Sequence, residues 1–328
     1  MKKNKFKNVL VVLGGTSGER AISLQSGKAC IKALRKKGYK VSTFDPKLKN
    51  FNLINKKATD VIFNALHGRD GEDGIAQSYF EYLKIPYTHS GVISSYNAMN
   101  KIISKEIFIK KKIKTPKYLL IEKINFKNKS LKKIIKNKNI SFPVVIKPIN
   151  EGSSLGVKVC NNREKLIKEI NHLFKNYSEL ILEEYIRGQE IQAAVINGDP
   201  LGAIELIPKR LFYDYKAKYT KKARTKHIMP ARLTRKKYKE ILSIAKKTHR
   251  ALVKGLFFMG IGYGGLGNGY AGGLLSLANS IIDSGSSNPA QNNPPEMNHA
   301  NNNDTITITI ADLEAASTLY SFKNNQVV

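Results

Sequence analysis

This chain is poor in cysteine and in acidic residues, and it has no long apolar run near its start. Two cysteines, Cys30 and Cys160, occur in 328 residues. That excludes a disulfide framework, and the apolar pattern around each predicts two buried free thiols. No CxxC, HExxH or Cys/His cluster is present, so no zinc spacing can be read. The first apolar run, residues 9–13, is too short for a secretory leader, and Gly14, Gly15 and Thr16 end it; the front of the chain reads as cytoplasmic. Acids are outnumbered: 56 Lys+Arg face 25 Asp+Glu, a net charge of +31. The lysines are scattered over almost every segment rather than gathered with aromatics on one face. The excess therefore reads as a solvated surface, and nucleic-acid binding is not expected.

What is present suits two or three modest domains with real cores, given 41% hydrophobic residues. Residues 9–13 read as a strand buried on both faces. GGTSGER (14–20) turns into a helix to about Lys37, with Gly38 as its terminal cap. Residues 39–44 and 60–66 read as further strands, and the second opens into HGRDGEDG (67–74) before a helix over 75–83. This pattern predicts an open parallel sheet whose ligand loops, 14–20 and 67–74, lie at the carboxyl ends of the strands. GGTSGER is not GxGxxG, which disfavours a dinucleotide fold. Glu19 reads either as a charge favoured by a helix start or as a group that orients a substrate amine or hydroxyl. His67 and Glu72 carry the same double reading.

The most informative stretch is FPVVIKPINEGSSLGVKVC (142–160): an apolar strand ending in Lys147, a Pro turn, a Gly-Ser-Ser-x-Gly loop and a second strand. A strand-end lysine beside a loop of small residues can hold phosphates. The plainer alternative is a hairpin whose turn needs Gly152 and Gly156 at positive φ. Helices are predicted over 101–112, about 128–137 and about 163–176. Residues 180–207 then read as one antiparallel meander. Its carboxylates, Glu183, Glu184 and Glu190, are ribose contacts, lysine partners, or exposed groups on an edge strand. A long polar loop spans 210–233, and an amphipathic helix capped by Thr234 spans 234–254.

Past residue 255 the composition breaks. Residues 251–328 carry a net −3 against +34 for residues 1–250. Residues 255–282 have no charge and nine glycines; an Asn/Pro/Ser-rich stretch and a β-prone TITITIADL follow. The uncharged stretch is long enough to cross a bilayer and has GxxxG spacing, but its glycines, Asn, Ser and Tyr make a poor helix, so stable insertion is not expected.

Taken together, the motifs resemble the D-alanine–D-alanine ligases of the ATP-grasp superfamily. GGTSGER, ALHGRDGEDG (65–74), PYTHSGV (86–92), the Lys101 segment, VVIKPINEGSSLGV (144–157), LILEEYIRGQEI (180–191) and FYDYKAKY (212–219) follow that family's order and spacing over residues 6–254. The resemblance implies an α/β chain. A Rossmann-like substrate domain (1–95) precedes an ATP-grasp small subdomain (96–188) and the start of the large one (189–255, with a lid at 210–233). A non-family tail, in part disordered, fills 256–328. It implies ATP and two D-alanines as substrates, an acyl phosphate, a role in peptidoglycan synthesis and a homodimer. By motif position it implies Lys101, Lys147 and Lys218 on phosphates. Glu183, Glu184 and Ile186 fall on an adenine-binding hinge, and Glu190 on the ribose. Glu19, Ser153 and Tyr219 match a triad, and His67, Glu72 and Gly152 lie on the substrate side. It further implies Mg2+ or Mn2+, held by an aspartate and a Glu-x-Asn motif beyond a late arginine. Here Arg250 is the last arginine, and Asp283, Asp304, Asp312 and Glu314 stand in other contexts. Little or no turnover is therefore expected, with an inactive nucleotide-binding protein or a chimeric product as the alternative.

Overall fold

The computed structural model describes residues 6–128, 131–196, 198–208 and 225–254, together with the strands at 306–312, 315–323 and 326–327. The chain divides into two compact units.

In the first unit, β1 (Asn8–Val12) lies between β2 (Lys40–Phe44) and β3 (Val61–Asn64), all parallel. Successive β1 residues feed two cores, because side chains alternate across a strand. Val9, Val11 and Leu13 pack with Leu34 and Val61, whereas Leu10 and Val12 join Phe44, Ile62 and Phe80. Helix α1 (Arg20–Lys36) approaches closely at Gly27, where a Cβ would meet Leu13 at 2.7 Å. Gly38, at φ +86°, ends it as predicted. Helices α2 (Ile75–Tyr82) and α3 (Val92–Met99) follow; α3 was not foreseen. The loops after β1 and β3 are tied together. The Ser23 hydroxyl accepts from the Gly14 N–H (2.8 Å) and donates to the Ala65 carbonyl (2.6 Å), and Ser17 donates to the His67 carbonyl (2.6 Å).

The second unit starts with α4 (Lys101–Lys110), capped by Asn100, whose side chain accepts from the N–H groups of Ile102 and Ile103. Strands β4 (Tyr118–Glu122), β5 (Val144–Pro148), β6 (Lys158–Cys160) and β7 (Glu179–Glu184) form an antiparallel sheet in the order β4-β7-β5-β6. Helices α5 (Leu131–Asn137) and α6 (Arg163–Leu173) complete its core, around Ile146, Leu166, Leu180 and Leu182. Strands β8 (Gln189–Ile196) and β9 (Asp199–Ile207) belong to a second sheet, in which β10 (Lys226–Ile228) pairs with β9 and β9 with β8. Helix α7 (Arg235–Lys254) packs on it through Ile241, Ala245 and Ala251.

Three sequence readings are corrected here. Residues 180–207 are not one meander, because β7 pairs with β4 and β5 while β8 and β9 pair in the other sheet. Nor is β7 an edge: it lies between two strands, and Leu180, Ile181 and Leu182 are fully buried. Cys160 is buried, but Cys30 only partly so, because it lies on the flank of α1. Beyond the composition break, β11 (Ile306–Asp312) runs parallel to β8, and β12 (Ala315–Lys323) and β13 (Gln326–Val327) extend the sheet. Most of the loop at 210–233, with Lys218 and Tyr219, and all of 255–305 lie outside the described residues.

Candidate functional site

The second unit holds a buried cluster of two lysines and one carboxylate. Lys147, on β5, and Glu183, on β7, reach the same side of adjacent strands, and the Lys147 ammonium stands 2.6 Å from Glu183 Oε2. Lys105 comes from α4 and stands 3.1 Å from Glu183 Oε1. The remaining Lys105 donors go to Thr115 Oγ1 (2.7 Å) and the Pro116 carbonyl (3.1 Å), and its ammonium lies 5.1 Å from the Tyr118 ring centroid. Glu183 is 4% exposed and Lys105 6%. Burial raises the Glu183 carboxyl, but two cations overcome that and hold it near 2. Burial dominates for Lys105 and pulls it down to about 8 despite Glu183, with Lys147 adding repulsion. One carboxylate cannot neutralise two ammoniums, and the surplus positive charge makes this a place for an anion.

The loop after β5 turns sharply. Leu155 N–H donates to the Gly152 carbonyl (2.9 Å), with Ser153 at φ 47° and Ser154 at φ 59°. The positive φ values expected at Gly152 and Gly156 are thus found at Ser153, Ser154 and Gly156. Gly152 sits at the entry of this tight turn, without a positive φ. Gly156, at φ +71°, must remain small, because a Cβ there would meet the Pro148 ring at 2.8 Å. Lys101 is joined to the base of this loop, donating from its ammonium to the carbonyls of Ile149 (3.2 Å) and Glu151. Its charge thus lies at the loop. Glu184 accepts from the Lys117 N–H (3.2 Å), Ile186 is half-buried, and Glu190 lies on β8 opposite Leu206.

In the first unit, His67 Nε2 lies 3.0 Å from Ser26 Oγ, and Nδ1 lies 3.4 Å from Glu72 Oε1. The Ser26 proton is committed to the Ile22 carbonyl (2.8 Å), so its oxygen is an acceptor toward the ring. Both ring nitrogens then face acceptors, which favours the imidazolium. Burial works against that charge, but Glu72, with help from Glu19, raises the His67 pKa. Glu72 is itself held by the Gly68 N–H (2.9 Å). Gly68, at φ +70°, admits the Glu19 carboxylate, which would stand 2.8 Å from any Cβ there. This arrangement can bind a small zwitterion.

Glu19, His67 and Glu72 therefore gather in the first unit, while Lys101, Lys147, Gly152, Ser153, Glu183 and Glu184 gather in the second. Sequence reading missed Lys105 and Ser26. The resemblance implies Mg2+ or Mn2+, yet among the described residues no group of three or more His, Cys, Asp or Glu side chains is placed to hold a metal ion. Of the tail acids, only Asp312, at the end of β11, lies in a described strand. The donors among the described residues do not fit a metal ion. No helix among the described residues is long and apolar enough to cross a membrane.

Comparison with known proteins decides the family. Two family models match, the N-terminus of D-ala D-ala ligase over residues 44–90 and its C-terminus over residues 107–257. The D-alanine–D-alanine ligase of Pelagibacter ubique is 50% identical over 248 residues, 75% of this chain and 80% of that protein. The chain belongs to the D-alanine–D-alanine ligase family. Among solved structures, the D-alanine–D-alanine ligase from Bacillus anthracis superposes with a TM-score of 0.65 at 33% identity, covering 75% of this chain and 79% of that one. A D-alanine–D-alanine ligase from Bacillus anthracis complexed with ATP gives 0.60 at 28% identity, covering 75% and 78%. These ligases share the mixed α/β architecture described above. The matched ligase segments contain Lys147, Glu183, Lys105's partner residues Thr115 and Pro116, and the His67–Glu72 pair. The C-terminal match ends at residue 257, at the composition break.

Proposed function

We propose that this chain binds ATP and joins two D-alanines, for peptidoglycan synthesis. A carboxylate is a poor acyl donor. The carboxylate oxygen of the first D-alanine attacks the γ-phosphorus of ATP, ADP leaves, and an acyl phosphate forms. The amine of the second D-alanine then attacks the acyl carbon, loses a proton, and expels phosphate. Positioning and charge neutralisation carry most of such chemistry. Lys147 supplies the charge for the phosphates, and Lys101 braces the loop that carries Ser153. Glu184 and Ile186 line the adenine and Glu190 the ribose. The amine of D-alanine pairs with Glu19, and His67, whose pKa Glu72 raises, faces the substrate carboxylate. Lys218 and Tyr219 complete the assignment by sequence position.

The observation that carries this reading is the surplus positive charge of the Lys105–Glu183–Lys147 cluster beside the 151–156 loop, in a chain 50% identical to a named ligase. Purified protein with ATP, Mg2+ and D-alanine should release phosphate in a D-alanine-dependent manner, and L-alanine should not substitute. The absence of D-alanine-dependent phosphate would defeat turnover.

A second reading, nucleotide binding without ligation, is favoured by the end of the family match at residue 257. It predicts stabilisation by ATP, about 2.7 kcal/mol at a hundredfold excess over Kd, without phosphate release. A cytoplasmic homodimer follows from the same family reading, and sedimentation at micromolar concentration tests the dimer.

A further inference from the structure

Lys147 is assigned to the phosphates of ATP, yet its ammonium already lies 2.6 Å from Glu183. Were it the only counter-ion of that carboxylate, moving to a phosphate would strand a buried negative charge, and much of the binding would be lost to that penalty. Lys105 removes the difficulty. It occupies the other carboxylate oxygen at 3.1 Å, and its ammonium is pinned by Thr115 and Pro116. Three donors meet three acceptors, so it has no proton left for a ligand.

We infer that Lys105 is the resident counter-ion of Glu183, a positioning residue that leaves Lys147 free to pass from the carboxylate to the phosphoryl groups of ATP. The inference rests on the ATP-binding reading above. It explains why α4 places one lysine in the interior, 6% exposed. It also sets a pH dependence. The groups facing Lys105 are Glu183 and, further off, Glu184 on β7, Lys147 on β5, Tyr118 on β4, and the uncharged Thr115 and Pro116 beyond α4. As pH rises through about 8, Lys105 loses its proton. Glu183 then holds Lys147, and phosphate affinity falls.

The test is calorimetric titration of the full chain with ATP, ADP and adenosine at pH values from about 7 to about 9. Lys105→Met should weaken ATP and ADP by about tenfold or more and adenosine by less than about twofold, the scale of one lost charge contact. Lys105→Arg, which stays charged, should keep the affinity at pH 7 and abolish the decline toward pH 9. Adding Glu183→Gln to Lys105→Met should recover most of the lost ATP affinity, because a neutral amide needs no counter-ion. Equal ATP affinity in wild type and Lys105→Met would overturn the inference. So would parallel loss of ATP and adenosine with no recovery in the double variant, which marks a merely structural lysine. Should Lys105→Met fail to fold, the wild-type and Lys105→Arg profiles decide alone, and identical declines with pH overturn the inference. A wild type that binds no ATP at all would instead remove the ATP reading beneath it.

Discussion

Glu183 and Glu72 each stand beside a titratable cation, yet Lys105 is pulled down and His67 is pushed up. The difference lies in burial and in charge balance. Around Glu183, two ammoniums share one carboxylate in a dry interior, so the cation bears the desolvation cost. Around His67, one imidazole faces Glu72 with Glu19 nearby at a partly open site, so the acids prevail. The second unit thus stores an excess of positive charge suited to polyphosphate. The first balances a cation against two acids, suited to a zwitterion.

The largest expected effect breaks the dry cluster. Glu183→Ala leaves two ammoniums without their carboxylate and should cost about 3–5 kcal/mol in a denaturant titration. A loss under about 1 kcal/mol would mean that water reaches the cluster. Next is the loop. Gly156→Ala forces a Cβ into the Pro148 ring at a left-handed φ and should cost about 1–3 kcal/mol, with a loss of ATP affinity read by calorimetry. Thr234→Ala, which removes the hydroxyl that accepts from the Lys237 N–H at 3.3 Å, should cost about 1 kcal/mol and leave ATP affinity unchanged.

The smallest effect sharpens the other half of the comparison. A His67 pKa raised above its unfolded value contributes stability in full below about pH 6.5, and this is lost as pH rises through the folded value. Glu72→Gln should lower that pKa, and NMR titration of the ring reads it directly. For Lys105 the sign is opposite. Between about 8 and 10.5 the unfolded chain holds the extra proton, so this group's contribution to stability rises with pH. Affinity for ATP should therefore fall over a window in which the fold does not weaken on account of this group.

Much of the frame was legible in the residues. The run 9–13 has the continuous apolar character of a doubly buried strand, and the loops at 14–20 and 67–74 lie where strand-end ligand loops were placed. Lys147 at a strand end was legible for the same reason. Lys105 was not, because among Lys101, Lys110, Lys111 and Lys112 it looks like one more solvated charge, and only the tertiary placement of α4, with Phe108 in the core of α7 and Lys105 beside Glu183 of β7, turns it inward. Strand β4, shortly after Pro116, is five residues long, and its alternation is too short to separate from loop. The TITITI alternation marked β11 as a strand, but its parallel partner β8 lies more than a hundred residues away, and local pattern holds no such register. Ser26 was missed because its role depends on a ring brought in by the loop after β3.

A nucleotide site at the surplus charge of Lys147 has a direct consequence for binding. Equilibrium titration of wild type and Lys147→Met with ATP at pH 7 tests it directly. Saturable binding is expected in wild type, with a loss of about tenfold or more in the variant at equal thermal stability. Equal ATP affinity in the two proteins would contradict it.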